Sequence, residues 1–304
     1  MDNVSSEVLS EFLVIKGIFV LRGKEPDGDS LRFIADEPKQ FAGLRNAHRI
    51  VPSRDGSVQL RLEAIDAPEL HYISDTIRQP LGEQARDTLL KAVGFSDVTF
   101  TDAAKVLVSD SEPDQVACAI LTKAADVHGR PIAYILVGDE AEALDDGDTL
   151  VVDEDLLSST LNFQMVENGD AYCFVYTSTP LPHRQMLRAV ARQVRQESRG
   201  VYEQDTTSDF ILRSQEEIGP NGQLIVPKLF RRCTDYLRDL EKGFNGTLPQ
   251  WLESKPEEND KVVLFEDLVP FDDQVSVELS DLVRHVNDEI FVQTDFLNLT
   301  FVEK

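Results

Sequence analysis

The chain is short of bases, short of cysteines and free of long apolar runs, and each shortage removes a class of protein. Lys and Arg total 30 against 55 Asp and Glu, a formal net charge of −25. Such a surface repels a polyanion on average, which excludes a nucleic-acid binder that works through overall charge. The three cysteines, Cys118, Cys173 and Cys233, lie far apart and make no Cys-x-x-Cys pair. That argues against zinc and leaves free, partly buried thiols. No stretch approaches the roughly 18 apolar residues of a membrane span. Met1 to Phe12 is acidic and polar, without the basic and apolar regions of a signal peptide. Taken as a whole chain, this predicts a cytoplasmic protein with no membrane partner. There is no internal repeat and no low-complexity linker.

What is present suits one large domain or two modest ones: 304 residues, 41% of them apolar. Residues 13–21 read as a strand, the Pro26-Asp27-Gly28-Asp29 turn follows, and Ser30–Ala35 reads as a second strand. Residues 36–56 are polar and turn-rich, as in a long hairpin excursion. Val58–Ile65 alternates as a third strand and Pro68 stops it. Leu81–Ala92 has helical spacing. Val98–Thr101, Ala117–Lys123 and Pro131–Val137 read as further strands, and Leu156–Glu167 and Pro182–Ser198 as helices. Short strands with turns between them fit a small five-stranded Greek-key barrel of the OB type. Arg184, Arg188, Arg192, Arg195 and Arg199 recur every three or four residues and share one helix face. That stripe is expected either to pair with acids on a solvated face or to guide a nucleic-acid strand. Beyond about Asp205 the chain is read as a second, mixed α/β module or a large appendage. It holds an amphipathic helix, Pro227–Lys242, a charged loop, Glu253–Lys261, and strand-like Val262–Phe265 and Phe291–Val302.

Three segments carry the chemistry: Asp27-Gly28-Asp29-Ser30, Arg61-Leu62-Glu63-Ala64-Ile65-Asp66-Ala67-Pro68-Glu69, and Asp126-Val127-His128-Gly129-Arg130. Together they hold strand-borne carboxylates, a carboxylate just past a turn, and two arginines. Carboxylate oxygens suit Ca²⁺ or Mg²⁺, and guanidinium forks match phosphate oxygens two at a time. Alternation along a regular strand puts Arg61 and Asp66 on opposite sides, so a bend or bulge near Ile65 is required if both reach one cleft. An isolated Asp-Gly-Asp is an ordinary turn. A second copy, Asp146-Gly147-Asp148, is read as a solvated hairpin tip without calcium. His71, near Glu69, is read as either a substrate neighbour or a surface histidine. His48, His183 and His285 form no catalytic pattern.

In order and residue type these segments resemble the staphylococcal-nuclease (thermonuclease) family over roughly residues 12–204. The resemblance implies an α+β fold, a five-stranded OB barrel with three helices. It implies a Ca²⁺ site, with Mg²⁺ or Mn²⁺ as alternatives, at Asp29 and Asp66. The Ala67 backbone carbonyl is a further donor, and Asp27 acts through water. Glu69 falls on the water-directing glutamate, and Arg61 and Arg130 on the phosphate-clamping arginines. His128, Phe174 and Tyr176 fall at substrate positions, and two depart from the family: Val127-His128 replaces a lysine and a tyrosine, and Phe174 replaces a tyrosine. The activity implied is hydrolysis of DNA or RNA phosphodiesters, favouring single strands.

The alternative is a non-catalytic OB module of the Tudor-nuclease kind, binding nucleic acid or protein. That route would leave Arg61, Glu69 or Arg130 free to drift, and all three are present. Residues 205–304 lie outside the resemblance. Residues 203–304 carry 22 acids and 10 bases, so this region is expected to repel nucleic acid, or to bind a protein partner.

Overall fold

The computed structural model describes residues 11–101, 104–264 and 276–303. The first unit runs β1 (Glu11–Val20), β2 (Arg32–Ala35), β3 (Val58–Gln59), β4 (Arg61–Leu62), β5 (Ile65–Asp66) and α1 (Gly82–Val93). It continues with β6 (Ser96–Phe100), β7 (Val108–Glu112), β8 (Gln115–Ala125), β9 (Pro131–Val137), α2 (Gly138–Glu142) and β10 (Thr149–Val151). Then come α3 (Glu154–Ser159), α4 (Leu161–Asn168), β11 (Tyr172–Cys173), α5 (Leu181–Gln196) and α6 (Val201–Gln204). The fold is mixed α+β around a nearly closed, barrel-like sheet of seven strands, in the order β3-β2-β1-β8-β9-β4 with β10 also on β1.

Closure comes from a short stretch of chain. β3 pairs antiparallel with β2, whereas β4 runs parallel to β9 through Arg61↔Ile132 and Leu62↔Ala133. Residues 58–62 thus cross from one end of the sheet to the other. Phe19, Phe33, Leu60, Leu62, Ile120 and Ile135 fill the interior. Burying apolar side chains of this size is worth about 1.5–3 kcal/mol each.

Several elements differ from the pattern of the sequence. The third strand is three fragments: at Leu60 the partner changes from β2 to β9, and Ala64 takes a left-handed conformation (φ 64°) that separates β4 from β5. The 36–56 excursion holds two short 3₁₀ turns, Pro38–Gly43 and Ala47–Arg49. The expected strand at Val98–Thr101 is β6, which pairs with β7 in a separate ribbon outside the main sheet. The 156–167 helix divides at Thr160, whose hydroxyl accepts from the Phe163 N–H at 3.2 Å and so caps a new helix. Asp146-Gly147-Asp148 is not a free tip. Asp146 accepts the Lys16 N–H at 2.7 Å and Gly147 donates to Val14 at 2.9 Å, which seats the turn on β1.

The remaining chain adds β12 (Asp209–Ile211), α7 (Pro227–Glu241), α8 (Leu248–Ser254), β13 (Lys261–Leu264) and β14 (Ser276–Glu278). It ends with α9 (Leu279–Leu282), β15 (Val283–Val286), β16 (Glu289–Val292) and β17 (Leu299–Phe301). The single strand expected at 291–302 is interrupted by a turn at Phe296–Asn298, where Asp295 accepts from the Leu297 N–H. The end of the expected strand at Phe265 lies outside the described residues. Pro227 opens α7, where the missing N–H costs nothing.

The C-terminal elements do not stand apart. Tyr172, Phe174 and Val201 share a second core with Phe210, Leu229, Phe230, Trp251 and Phe301. The arginine stripe divides: Arg199, beyond α5, is exposed and pairs with Glu197 at 2.7 Å, whereas Arg188, Arg192 and Arg195 within α5 meet this junction. Arg188 is buried and donates to the Leu299 carbonyl at 2.6 Å and to Thr300 Oγ1 at 2.8 Å. Arg192 reaches Asn298 at 3.0 Å and Arg195 reaches Asp295 at 2.6 Å. Among the described residues no helix is long and apolar enough to cross a membrane.

This shared core sets an expectation for truncation. A chain ending at Asp205 uncovers Tyr172, Phe174 and Val201 and leaves Arg188 without its two acceptors. Each lost pairing of a buried polar group costs about 1–3 kcal/mol. Thermal unfolding should show a clearly lower midpoint, and a dye for exposed apolar surface should bind the native form. A truncated chain as stable as the full one would show that the second core contributes nothing to the first unit.

Candidate functional site

The three segments meet because each is pinned by short backbone geometry. Asp27 N–H donates to the Ser30 carbonyl at 3.1 Å and Asp27 Oδ1 accepts from Gly28 N–H at 2.7 Å, closing the first turn. A Cβ on Gly28 would lie 2.6 Å from Ala67 Cβ, so only glycine lets this turn rest on the end of β5. The second segment depends on the break at Glu63-Ala64. Buried Asn162 fastens it, donating to the Glu63 and Ala133 carbonyls at 2.9 and 3.0 Å and accepting from Ile135 N–H at 2.9 Å. The expected reversal of strand parity therefore occurs, one residue ahead of Ile65. Its result is that Arg61 Nη2 lies 3.9 Å from Asp66 Oδ1.

Asp126 organises the third segment. One oxygen accepts the backbone N–H groups of His128 and Arg130, both at 2.9 Å, and the other accepts Arg130 Nε at 2.8 Å. Gly129 has φ 80°, and a Cβ there would meet the Arg49 carbonyl at 2.1 Å. Glu69 is positioned by Gln79, which accepts the Glu69 N–H at 3.1 Å and donates to the Ile225 carbonyl at 2.7 Å.

These segments border one cleft of about 1040 Å³. Asp27, Asp29, Arg61, Glu69, Arg130, His71, His128 and Tyr176 line it. Asp66 is fully buried beside it. Ala67 is buried against the Gly28 turn and does not reach the cleft wall. Phe174, expected at the substrate, is instead a core residue: it is buried and stacks on Phe301 at 4.4 Å. Arg61 lies 5.9 Å from the Tyr176 ring centroid.

Residues with no signal in the three segments complete the wall. α7 turns Lys228, Arg231 and Arg232 toward the cleft. The Arg231 fork donates to both oxygens of Asp66, at 3.2 and 3.0 Å, and to Glu69. Lys228 pairs with Asp260 at 3.2 Å, and Arg232 pairs with Asp260 at 2.8 Å and with Glu258. The region expected to repel a polyanion thus places three cations at the cleft, each matched by carboxylates. The amphipathic pattern marked α7 as a packing helix but could not say what its polar face meets.

The carboxylates perturb one another. Burial, then the charges of Glu69 and Asp29, push Asp27 well above the usual range. Burial also raises Asp29, with Arg61 opposing it. Glu69 is pushed up to about 7 by burial, with Arg231 pulling against this and Asp66 and Asp29 adding to it. Desolvation wins over the ion pair because four acids share the neighbourhood. Among the described residues no three His, Cys, Asp or Glu side chains converge as a metal cluster. The donors that are present are all oxygen, and a guanidinium already stands as a cation on Asp66 and Glu69, so the pocket suits a hard cation in charge and chemistry.

No protein-family model matches the chain, and no curated protein matches it.

The raised acids give stability a definite pH dependence. Glu69 takes up a proton on folding between its ordinary 4.5 and about 7, so metal-free stability falls as pH rises through that window and levels above it. Asp27 and Asp29 act in the same direction. In chelator, the urea midpoint of wild type should drop more between pH 5 and pH 8 than that of Glu69→Gln. Parallel curves would mean that Glu69 is ionised throughout.

Proposed function

We propose that this protein is a metal-dependent phosphodiesterase that hydrolyses DNA or RNA, favouring single strands, on an OB-type barrel of the staphylococcal-nuclease kind. The observation that carries this reading is convergence. Three segments distant in sequence bring Asp27, Asp29, Glu69, Arg61 and Arg130 to one cleft, with Asp66 beside Arg61. Asp29 and Asp66 would hold Ca²⁺, or Mg²⁺ or Mn²⁺, with an Asp27-held water as a further donor. When bound, the ion supplies Lewis-acid polarisation of the scissile phosphate.

The chain's own groups account for the rest. Glu69, with a pKa near the working pH, orients and deprotonates the attacking water. Arg61 is held by Asp66 and Arg130 by Asp126, so both forks are pre-aimed to offset the charge that develops on a five-coordinate phosphorus. His128 and Tyr176 border the same cleft and contact the nucleotide.

Digestion of single-stranded DNA with Ca²⁺ and with EDTA tests this. Activity is expected only with Ca²⁺, and Asp66→Asn should abolish it. Arg61→Lys and Arg130→Lys should each lower the rate by ~10²–10³, because lysine keeps the charge and loses the two-pronged match. Strand binding without cleavage by any divalent cation would favour the non-catalytic module instead.

A further inference from the structure

Arg231 comes from outside the three segments, yet it makes the closest contacts to the proposed metal carboxylates. Its Nη2 lies 3.2 and 3.0 Å from the two oxygens of Asp66, and its Nη1 donates to Glu69. Asp66 has no solvent exposure, so its oxygens are reached only through the groups packed on it. A divalent cation and a guanidinium on the same carboxylate repel each other strongly in a buried site. The side chain is itself 20% exposed and borders the cleft, so it has somewhere to go. Its helix does not: α7 is anchored by Tyr72 Oη donating to Asp235 at 2.6 Å and, just before its start, by Gln79 donating to Ile225 at 2.7 Å.

We infer that Arg231 is a resident counter-ion at Asp66 and Glu69 that competes with the divalent metal, so that metal binding requires its guanidinium to leave Asp66. The inference rests on the metal-dependent reading proposed above. It makes residues outside the nuclease-like segments a determinant of metal affinity. It also means that α7 supplies the counter-charge for Asp66 and Glu69 when no metal is bound.

Calorimetric titration with CaCl₂ tests it on the full chain. Competition is a coupling free energy, commonly worth roughly 5- to 150-fold in affinity. Arg231→Gln should therefore bind Ca²⁺ more tightly than wild type by a factor in that range. Arg231→Lys, which keeps a charge and loses the fork, should fall between them. Arg232→Gln removes an equal charge from the same wall but not from Asp66, and should change affinity little. Thermal unfolding in chelator checks that each variant is folded. If Arg231→Gln fails to fold, side-chain nitrogen NMR on wild type decides: Ca²⁺ should shift the Arg231 Nε–H signal, and should not do so in Asp66→Asn. Wild type that binds and cleaves with Ca²⁺ while Arg231→Gln binds no tighter would overturn the inference alone. An Arg232→Gln effect as large as that of Arg231→Gln would also overturn it, because the cause would then be general charge. Absence of Ca²⁺ binding and of cleavage in every form would remove the metal-dependent reading, and this inference with it.

Discussion

The broken path of residues 58–66, fastened at Glu63 by Asn162, is the constraint on which both barrel and cleft depend. A regular strand from Val58 to Asp66 would stay on one edge of the sheet and would point Arg61 and Asp66 to opposite faces. Instead the chain leaves β2 after Gln59 and pairs β4 with β9, which closes the sheet, and at left-handed Ala64 it turns again so that β5 pairs with β11. The freed backbone groups are not left unpaired: the Asn162 amide takes the Glu63 and Ala133 carbonyls and its oxygen takes Ile135 N–H. A buried amide with three partners of fixed direction is a stiff fastening. It converts a local defect into the geometry that sets an arginine beside an aspartate.

The cleft is a balance of charges that water would otherwise keep apart. Burial, with the neighbouring charges of Asp29, Asp66 and Glu69 added to it, raises the proton affinity of Asp27, Asp29 and Glu69. Arg61 and Arg231 answer them directly, and Asp126 aims Arg130. Burial makes each interaction stronger and each unpaired acid more costly. The net charge of −25 therefore says little about this cleft, where Arg61, Arg130, Lys228, Arg231 and Arg232 meet. Distant surface acids are screened within ~8–10 Å at physiological salt.

The C-terminal hundred residues belong to the same physical object as the barrel. Phe174, expected at the substrate, is stacked on Phe301 in a core made by both regions. The arginines of α5 reach across to β17 and the turn before it. The same packing sets α7 over the cleft, and so a packing requirement decides which side chain touches Asp66.

Local pattern was enough for much of this protein. Short apolar runs between turn residues marked β1, β2, β8 and β9, and helical spacing marked α1, α5 and α7, because the pattern of apolar residues records which face is buried. Turn chemistry located Pro26-Asp27-Gly28-Asp29, and its place in the series of three segments marked His128-Gly129-Arg130. Strand parity even required a bend between Arg61 and Asp66. Other features had no local trace. An arginine stripe looks alike whether water or a C-terminal strand lies against it, and Arg188 proved buried. The polar face of α7 reads as solvated until its helix axis is placed. Asn162 and Arg231 act on partners 27 to 165 residues away in the chain. Sequence determined which residues could carry charge, turn the chain or fill a core. Tertiary structure alone decided which charges meet, because pairing depends on distance through space, and that is set by the packing of the whole chain.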